Sequence, residues 1–192
     1  MLNWLYLDLN SYFASVEQQL QPKLRKKPVA IVPTITNATC AIAASYEAKS
    51  YGIKTGTMIY EAKRLCPKLI CIQANHENYV TYHHKILAEI DKCKPSQIIL
   101  IDYPGFNLRM AQKIKKQFNI PITYYISPQI WAWKEKRMEI IIKYIDQMLV
   151  IFPFEENWYN ERGIDAKFVG HPIYNEWRPS NREDLCHQLN KK

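Results

Sequence analysis

Two aspartates stand where an α/β protein puts its reactive groups. Asp8 closes the apolar run Trp4-Leu-Tyr-Leu-Asp8, and Asp102 closes Ile98-Ile-Leu-Ile-Asp102. Ligands of such sheets gather outside the carboxyl ends of the strands. An acid there either caps the next turn or takes part in chemistry, as a general base or an oxygen ligand, and position alone leaves both open. Trp131 and Trp133, beside Lys134, Lys136 and Arg137, also read two ways. Indoles favour a membrane boundary and basic residues favour anionic headgroups, yet tryptophans also pack in cores. His171 precedes Pro172, a pattern that ends a strand and orients a turn. Tyr79, Tyr82, His83 and His84 read as one helix face with solvated histidines.

The elements that must position these residues follow from periodicity. A helix is expected from about Ser11, with Tyr12, Phe13, Val16 and Leu20 on one face. Pro28–Pro33 and Thr39–Ala43 read as short strands, Tyr46–Tyr51 and Met58–Leu65 as helices, and Leu69–Ile72 as a strand. Asn75 is placed to cap a longer helix carrying Tyr79, Tyr82, Ile86, Leu87 and Ile90. From Lys94 strands alternate with helices, the signal of a parallel sheet. Strands are expected at Ile98–Ile101, Ile122–Ile126, Met148–Phe152 and Lys167–Val169. Helices are expected from Asn107, around Met138–Ile145, and from Glu155 to Arg162, and Ser180-x-x-Glu183 reads as a capping box.

Composition narrows the function classes. The 192 residues carry a net charge of +8, which suggests an anionic partner. The charge is spread evenly, with 11 Lys/Arg against 7 Asp/Glu in residues 1–93 and 15 against 11 afterwards. Five cysteines without CxxC spacing fit a reduced compartment better than disulfides or a zinc site. All five glycines fall at expected turns, and neither a GxxxxGK[ST] loop nor a GxGxxG fingerprint occurs. The N-terminus lacks the basic region of a signal peptide, so a cytoplasmic protein is expected.

Asp8-Leu-Asn-Ser-Tyr-Phe-Ala-Ser-Val-Glu17 resembles the first motif of Y-family translesion DNA polymerases. The similarity continues in order through Lys27-Pro-Val-Ala-Ile31, Ala44-Ser-Tyr-Glu-Ala-Lys49, Tyr51-Gly-Ile-Lys54 and Glu61-Ala-Lys-Arg-Leu-Cys-Pro67. The resemblance implies that Asp8 is one carboxylate of a two-Mg²⁺ site and that Phe13 is the steric gate against a ribose 2′-hydroxyl. It further implies that Tyr46 and Lys49 bind the incoming triphosphate, and that DNA and dNTP are the partners of this part. Lys49 stands where the family more often has Arg, which keeps the charge and loses bidentate geometry. The family's strand-borne Asp-Glu pair, due after the helix at residues 76–92, has no counterpart, because no Asp-Glu dipeptide occurs in the chain. The family's thumb and little-finger domains have no counterpart either.

Ile101-Asp-Tyr-Pro-Gly-Phe-Asn107, Tyr125-Ile-Ser-Pro-Gln-Ile-Trp-Ala-Trp133, Lys136-Arg137, Phe152-Pro-Phe-Glu-Glu156 and Phe168-Val-Gly-His-Pro172 together resemble the N-terminal domain of lipid-A-disaccharide synthase. The resemblance covers about Lys94 to Trp177. It implies transfer of diacylglucosamine from its UDP derivative to a monosaccharide phosphate, with Asp102 as general base and no cofactor. The partners it implies are a UDP-sugar lipid and the inner-membrane surface; no protein partner is implied. The family's Gly-Glu-Thr-Ser-Gly-Asp stretch and UDP-binding C-terminal domain have no counterpart. The fold expected is therefore α/β in two partial lobes. Residues 1–93 form a polymerase palm/fingers fragment, and residues 94–192 a parallel half-Rossmann fragment of the GT-B N-domain type. Such a truncated fusion is expected to be inactive in both reactions, with a linker near Lys92–Ser96. The alternatives are a functional glycosyltransferase fragment or a nucleotide- or DNA-binding module.

Overall fold

The computed structural model describes residues 3–133 and 135–175. In chain order the elements are β1 (Trp4–Asp8), α1 (Tyr12–Leu20), β2 (Val29–Val32), β3 (Ala43–Ala44), α2 (Tyr46–Lys49), α3 (Ile59–Leu65), β4 (Ile70–Gln73) and α4 (His76–Cys93). They continue with β5 (Gln97–Ile101), α5 (Pro104–Phe118), β6 (Ile122–Tyr125), α6 (Met138–Tyr144), β7 (Gln147–Val150), α7 (Pro153–Asn160) and β8 (Ala166–Phe168). The chain divides into two compact units, residues 7–96 and Gln97 onward, with Trp4–Tyr6 counted in the second. The capping box expected at Ser180–Glu183 lies outside the described residues.

The first unit is built on the sheet β3-β2-β4, in which β2 pairs antiparallel with β3 and parallel with β4. All four residues of β2 are buried, as a strand covered on both faces must be. Ala30 and Val32 pack with Ala41, Ala44, Ala48, Ile53, Ile59, Ala62, Cys66 and Leu69, a core of mainly small side chains. Along α1 the buried residues are Tyr12, Ala14, Val16 and Glu17, whereas Leu20, expected inside, is 42% exposed. Asn75 caps α4 as expected, its side chain accepting from the backbone N–H groups of Glu77 and Asn78. The histidines on α4 part ways, since His84 is exposed and His83 is buried. The segment expected to be a linker begins as the end of α4, which runs to Cys93 with Lys94 in the left-handed C-cap and its N–H donating to Ile90, and the boundary between the two units falls just after it, at Ser96–Gln97.

The second unit is a five-stranded sheet of order β1-β5-β6-β7-β8. β5, β6, β7 and β8 run parallel, joined in turn by α5, α6 and α7, the half-Rossmann pattern expected from the sequence. Ile98, Leu100, Ile122, Tyr124, Met148 and Val150 are fully buried in the strands, with Met110, Ala111, Ile114, Ile141 and Tyr159 from the helices. The sequence groups β1 with the strands of the first lobe; the structure places it at the edge of this sheet. Strand neighbours of distant sequence position are set by tertiary packing, which local pattern does not encode. The helix expected from Asn107 starts three residues earlier, because Pro104 is preset for the first helical position. Gly105 consequently lies in that first turn rather than in a turn of positive φ; the other four glycines all have positive φ.

Candidate active site

Asp102 and Tyr103 follow β5 with left-handed backbone angles, φ 47° and 42°. Neither is glycine, so each conformation costs on the order of 1 kcal/mol and must be held by its surroundings. Two fully buried side chains hold it. The Asp102 carbonyl accepts a hydrogen bond from the Tyr124 hydroxyl at 2.5 Å and from the Asn107 amide at 2.7 Å. The same amide nitrogen reaches the Ile101 carbonyl at 2.9 Å, and the Asp102 N–H donates to Tyr125. Burial pushes the Tyr124 phenol far above its ordinary range, and the charge of Asp102 adds to the effect. Tyr124 therefore remains a donor across the working pH range.

The Asp102 turn opens on a cavity of about 270 Å³, whose other walls include Ser127, Gln129, Trp133, Arg137 and Phe152. These residues lie at or beyond the carboxyl ends of β5, β6 and β7, where α/β sheets bind ligands. Ile126, also on the wall, has φ 62°, an outlier for a β-branched residue.

The stretch from Ser127 to Trp131 is tied to α7. Glu155 is 1% exposed. Its Oε1 accepts from the Ser127 hydroxyl at 2.8 Å and the Trp131 indole N–H at 3.0 Å, and its Oε2 accepts from the Phe152 N–H at 3.3 Å. Glu155 stands in the first turn of α7. The Tyr159 hydroxyl donates to the Pro128 carbonyl at 2.8 Å. Burial, with the Glu155 charge adding to it, pushes that phenol far up as well. These bonds give a physical reason for two of the sequence motifs to occur together: one supplies the carboxylate and the phenol's helix, the other the loop they hold.

Trp131 and Trp133 do not pack in the core. They are 39% and 59% exposed, and Trp131 meets Phe154 edge-on at 5.1 Å. Lys134 lies outside the described residues. His171 anchors a turn, its Nδ1 accepting from the Ile173 N–H at 3.2 Å, and its ring lies 5.8 Å from that of Phe152.

In the first unit Asp8 is exposed. Lys49 donates to the Asn10 side chain at 2.9 Å and lies 5.4 Å from the centre of the exposed Tyr46 ring. The short α2 that carries both is capped by buried Ser45, whose Oγ accepts from Ala48 and from Val29 and donates to the Lys27 carbonyl. Phe13 stacks on Tyr79 at 4.2 Å and meets His76 edge-on. Burial pushes the Tyr79 phenol up to about 12, against a hydrogen bond from the Asn75 backbone. The structure thus brings Tyr46 and Lys49 together, and among the described residues no hydrogen bond, ion pair or ring contact joins Asp8 or Phe13 to them. The fit to a metal pair fails: no three His, Cys, Asp or Glu side chains among the described residues are grouped to hold a cation, whereas Mg²⁺ needs several oxygens.

Sequence reasoning missed Asn107, Tyr124, Glu155 and Tyr159 as site builders. Asn107 and Glu155 stand inside the motifs that carry the resemblance, and that was their available signal. Tyr124, in an apolar strand, gave none.

The second unit is an α/β domain whose cavity lies at the carboxyl ends of parallel strands, the place where such sheets bind ligands. The comparisons give the families. Residues 76–191 match the lipid-A-disaccharide synthetase family and residues 7–104 match the impB/mucB/samB family. The chain belongs to both, as a segment of one joined to a segment of the other, the two matches overlapping along α4 and β5. A lipid-A-disaccharide synthase of Coxiella burnetii is 48% identical over 100 residues, which are 52% of this chain and 26% of the relative. Lipid-A-disaccharide synthase 1 of Legionella pneumophila is 58% identical over 80 residues, 42% of this chain and 21% of the relative. The chain spans about a quarter of the length of these curated relatives. A post-insertion binary complex of Dbh DNA polymerase aligns with 21% identity and a TM-score of 0.41, over 58% of this chain and 38% of that one. No helix of the described residues is long and apolar enough to cross a membrane.

Proposed function

We propose that the second unit is the acceptor side of a lipid-A-type glycosyl-transfer site, with Asp102 as general base. The observation that carries this is the Asp102 turn, strained in two successive residues, braced by two buried side chains and facing a cavity. Strain of that kind marks functional sites when the surroundings over-determine it. In this reading the Asp102 carboxylate takes the proton of the acceptor hydroxyl as that oxygen attacks the anomeric carbon. Asn107 and Tyr124 hold the turn from behind through its carbonyl and leave the carboxylate to the acceptor. Exposed Trp131 and Trp133, with Lys136 and Arg137, face the membrane surface from which a lipid acceptor comes.

The first unit, in the same reading, is a nucleotidyl-transfer remnant. Asp8, Phe13, Tyr46 and Lys49 keep their family places, and no metal-dependent step follows from them. In this reading the 192 residues by themselves turn over in neither reaction, since positioning of the donor supplies much of the rate of glycosyl transfer.

The acceptor reading is tested by following the Asp102 carboxyl carbon by NMR while adding N-acetylglucosamine 1-phosphate. A saturable shift is expected; an unmoved Asp102 resonance contradicts the reading. In activity assays no disaccharide and no primer extension with Mg²⁺ or Mn²⁺ are expected. Turnover lost in Asp102→Ala, or in Asp8→Asn, overturns the corresponding statement of inactivity.

A further inference from the structure

We propose that buried Glu155 fixes the Ser127 hydroxyl as a hydrogen-bond acceptor toward the Asp102 cavity, so that Ser127 reads a hydroxyl or amide N–H of the ligand. The inference rests on the reading of this cavity as an acceptor site and adds a specificity-determining residue to it. Ser127 is buried and stands on the wall of the cavity, as Asp102 does. A serine hydroxyl ordinarily donates or accepts as its surroundings require, because its proton rotates. Here the surroundings decide. Glu155 Oε1 accepts from the Trp131 indole N–H at 3.0 Å and Oε2 from the Phe152 N–H at 3.3 Å, and both of those groups can only donate. The Ser127 proton is the third to reach this carboxylate, with its oxygen 2.8 Å from Oε1. The neighbouring Tyr159 hydroxyl gives its own proton to the Pro128 carbonyl at 2.8 Å. Ser127 is therefore left with oxygen lone pairs to offer, and among the described residues no group donates to them.

Donation to a carboxylate polarises the hydroxyl and makes its oxygen a stronger acceptor for the next partner. An anionic oxygen set against Ser127 would meet lone pairs with a buried carboxylate behind them, and would lose its hydration without gaining a donor. A hydroxyl or an amide N–H set there satisfies both sides. Asp102 is an acceptor as well, so the cavity asks its ligand for two donors, one for the carboxylate and one for Ser127. An analogue without the second donor leaves the buried Ser127 oxygen unpaired, which is how a site rejects a molecule it is large enough to hold. Glu155 is not on the cavity wall; it acts through Ser127, as a positioning residue.

The test is proton NMR of the 192-residue chain, free and with N-acetylglucosamine 1-phosphate as the probe. In the free chain the Ser127 hydroxyl proton is expected to exchange slowly enough to be seen. It should show a cross-peak to the Trp131 indole proton, since both point at one Glu155 oxygen. A hydroxyl proton that is not seen, or that lacks this cross-peak, overturns the fixed polarity whatever binds. With the probe bound the cross-peak should persist, and an exchangeable proton of the probe should contact the Ser127 β-protons. A hydroxyl proton that leaves Glu155 on binding overturns the proposal, and so does a bound probe that sets its phosphate against Ser127. Ser127→Ala should weaken binding of the probe about fivefold, the effect of one neutral hydrogen bond. Undiminished binding in that variant overturns the role of Ser127 and leaves the acceptor reading standing. If no cavity amide moves with the probe, the acceptor reading falls and the inference falls with it. Should Ser127→Ala misfold, seen as loss of its dispersed spectrum, the cross-peaks of the unaltered chain decide by themselves.

Discussion

Asp8 and Asp102 look alike in sequence, each a lone acid ending an apolar strand inside a motif of its own family. In the structure they differ. Around Asp102 two consecutive left-handed residues are locked by buried Asn107 and Tyr124, and the loop across the cavity is locked by buried Glu155 and Tyr159. Asp8 and Asn10 are exposed, and the Asn10 side chain is paired with Lys49 on the surface. A carboxylate with the right neighbours in sequence becomes a site only where buried groups hold its backbone and a cavity gives it a ligand to meet.

This contrast can be broken or sharpened by substitution. The largest effect is expected from Glu155→Ala, which strips a buried acceptor from three donors. It should lower the stability of the second unit by about 3 kcal/mol and expose Trp131 further, as read by denaturant unfolding and tryptophan emission. Asn107→Ala should cost about 2 kcal/mol, since two carbonyls lose their donor, and Tyr124→Phe about 1 kcal/mol. Wild-type stability in Asn107→Ala would mean that the Asp102 turn is not held as described.

A smaller effect separates the units by pH. The folded-state pKa of Tyr79, about 12, lies above its ordinary 10.0. The buried neutral phenol thus stabilises the first unit fully below pH 10, and that contribution is lost as pH rises through 12. In an alkaline titration of tyrosinate absorbance, Tyr79 should ionise before Tyr124 and Tyr159, whose deeper burial holds their phenols higher still. Early ionisation of Tyr124 would remove its role as a fixed donor to Asp102. The smallest effect belongs to Asn10→Ala, expected to stay within about 0.5 kcal/mol of the parent; a loss as large as that of Asn107→Ala would erase the contrast between the two strand ends.

Much of this was legible in the residues. Apolar runs and Asn75 mark β5, β6, β7 and α4, and the two sets of motifs mark the two families. What escaped depends on tertiary contact. Leu20 is apolar yet 42% exposed, while Glu17, three residues earlier, is 3% exposed. His83 reads as polar and is among the buried residues of α4, with Tyr79 and Leu87. Glu155 reads as an ordinary helix-start acid, because the donors that make it a clamp arrive from Ser127 and Trp131, more than twenty residues away.

The most direct test of the contrast is one pair of amide NMR titrations on the intact chain, first with dATP and Mg²⁺, then with N-acetylglucosamine 1-phosphate. The account predicts that the sugar phosphate moves Asp102, Ser127 and Arg137, and that adding Mg²⁺ to dATP leaves Asp8 and Phe13 unmoved. Saturable, Mg²⁺-dependent shifts at Asp8 and Phe13 with a silent Asp102 cavity would contradict it.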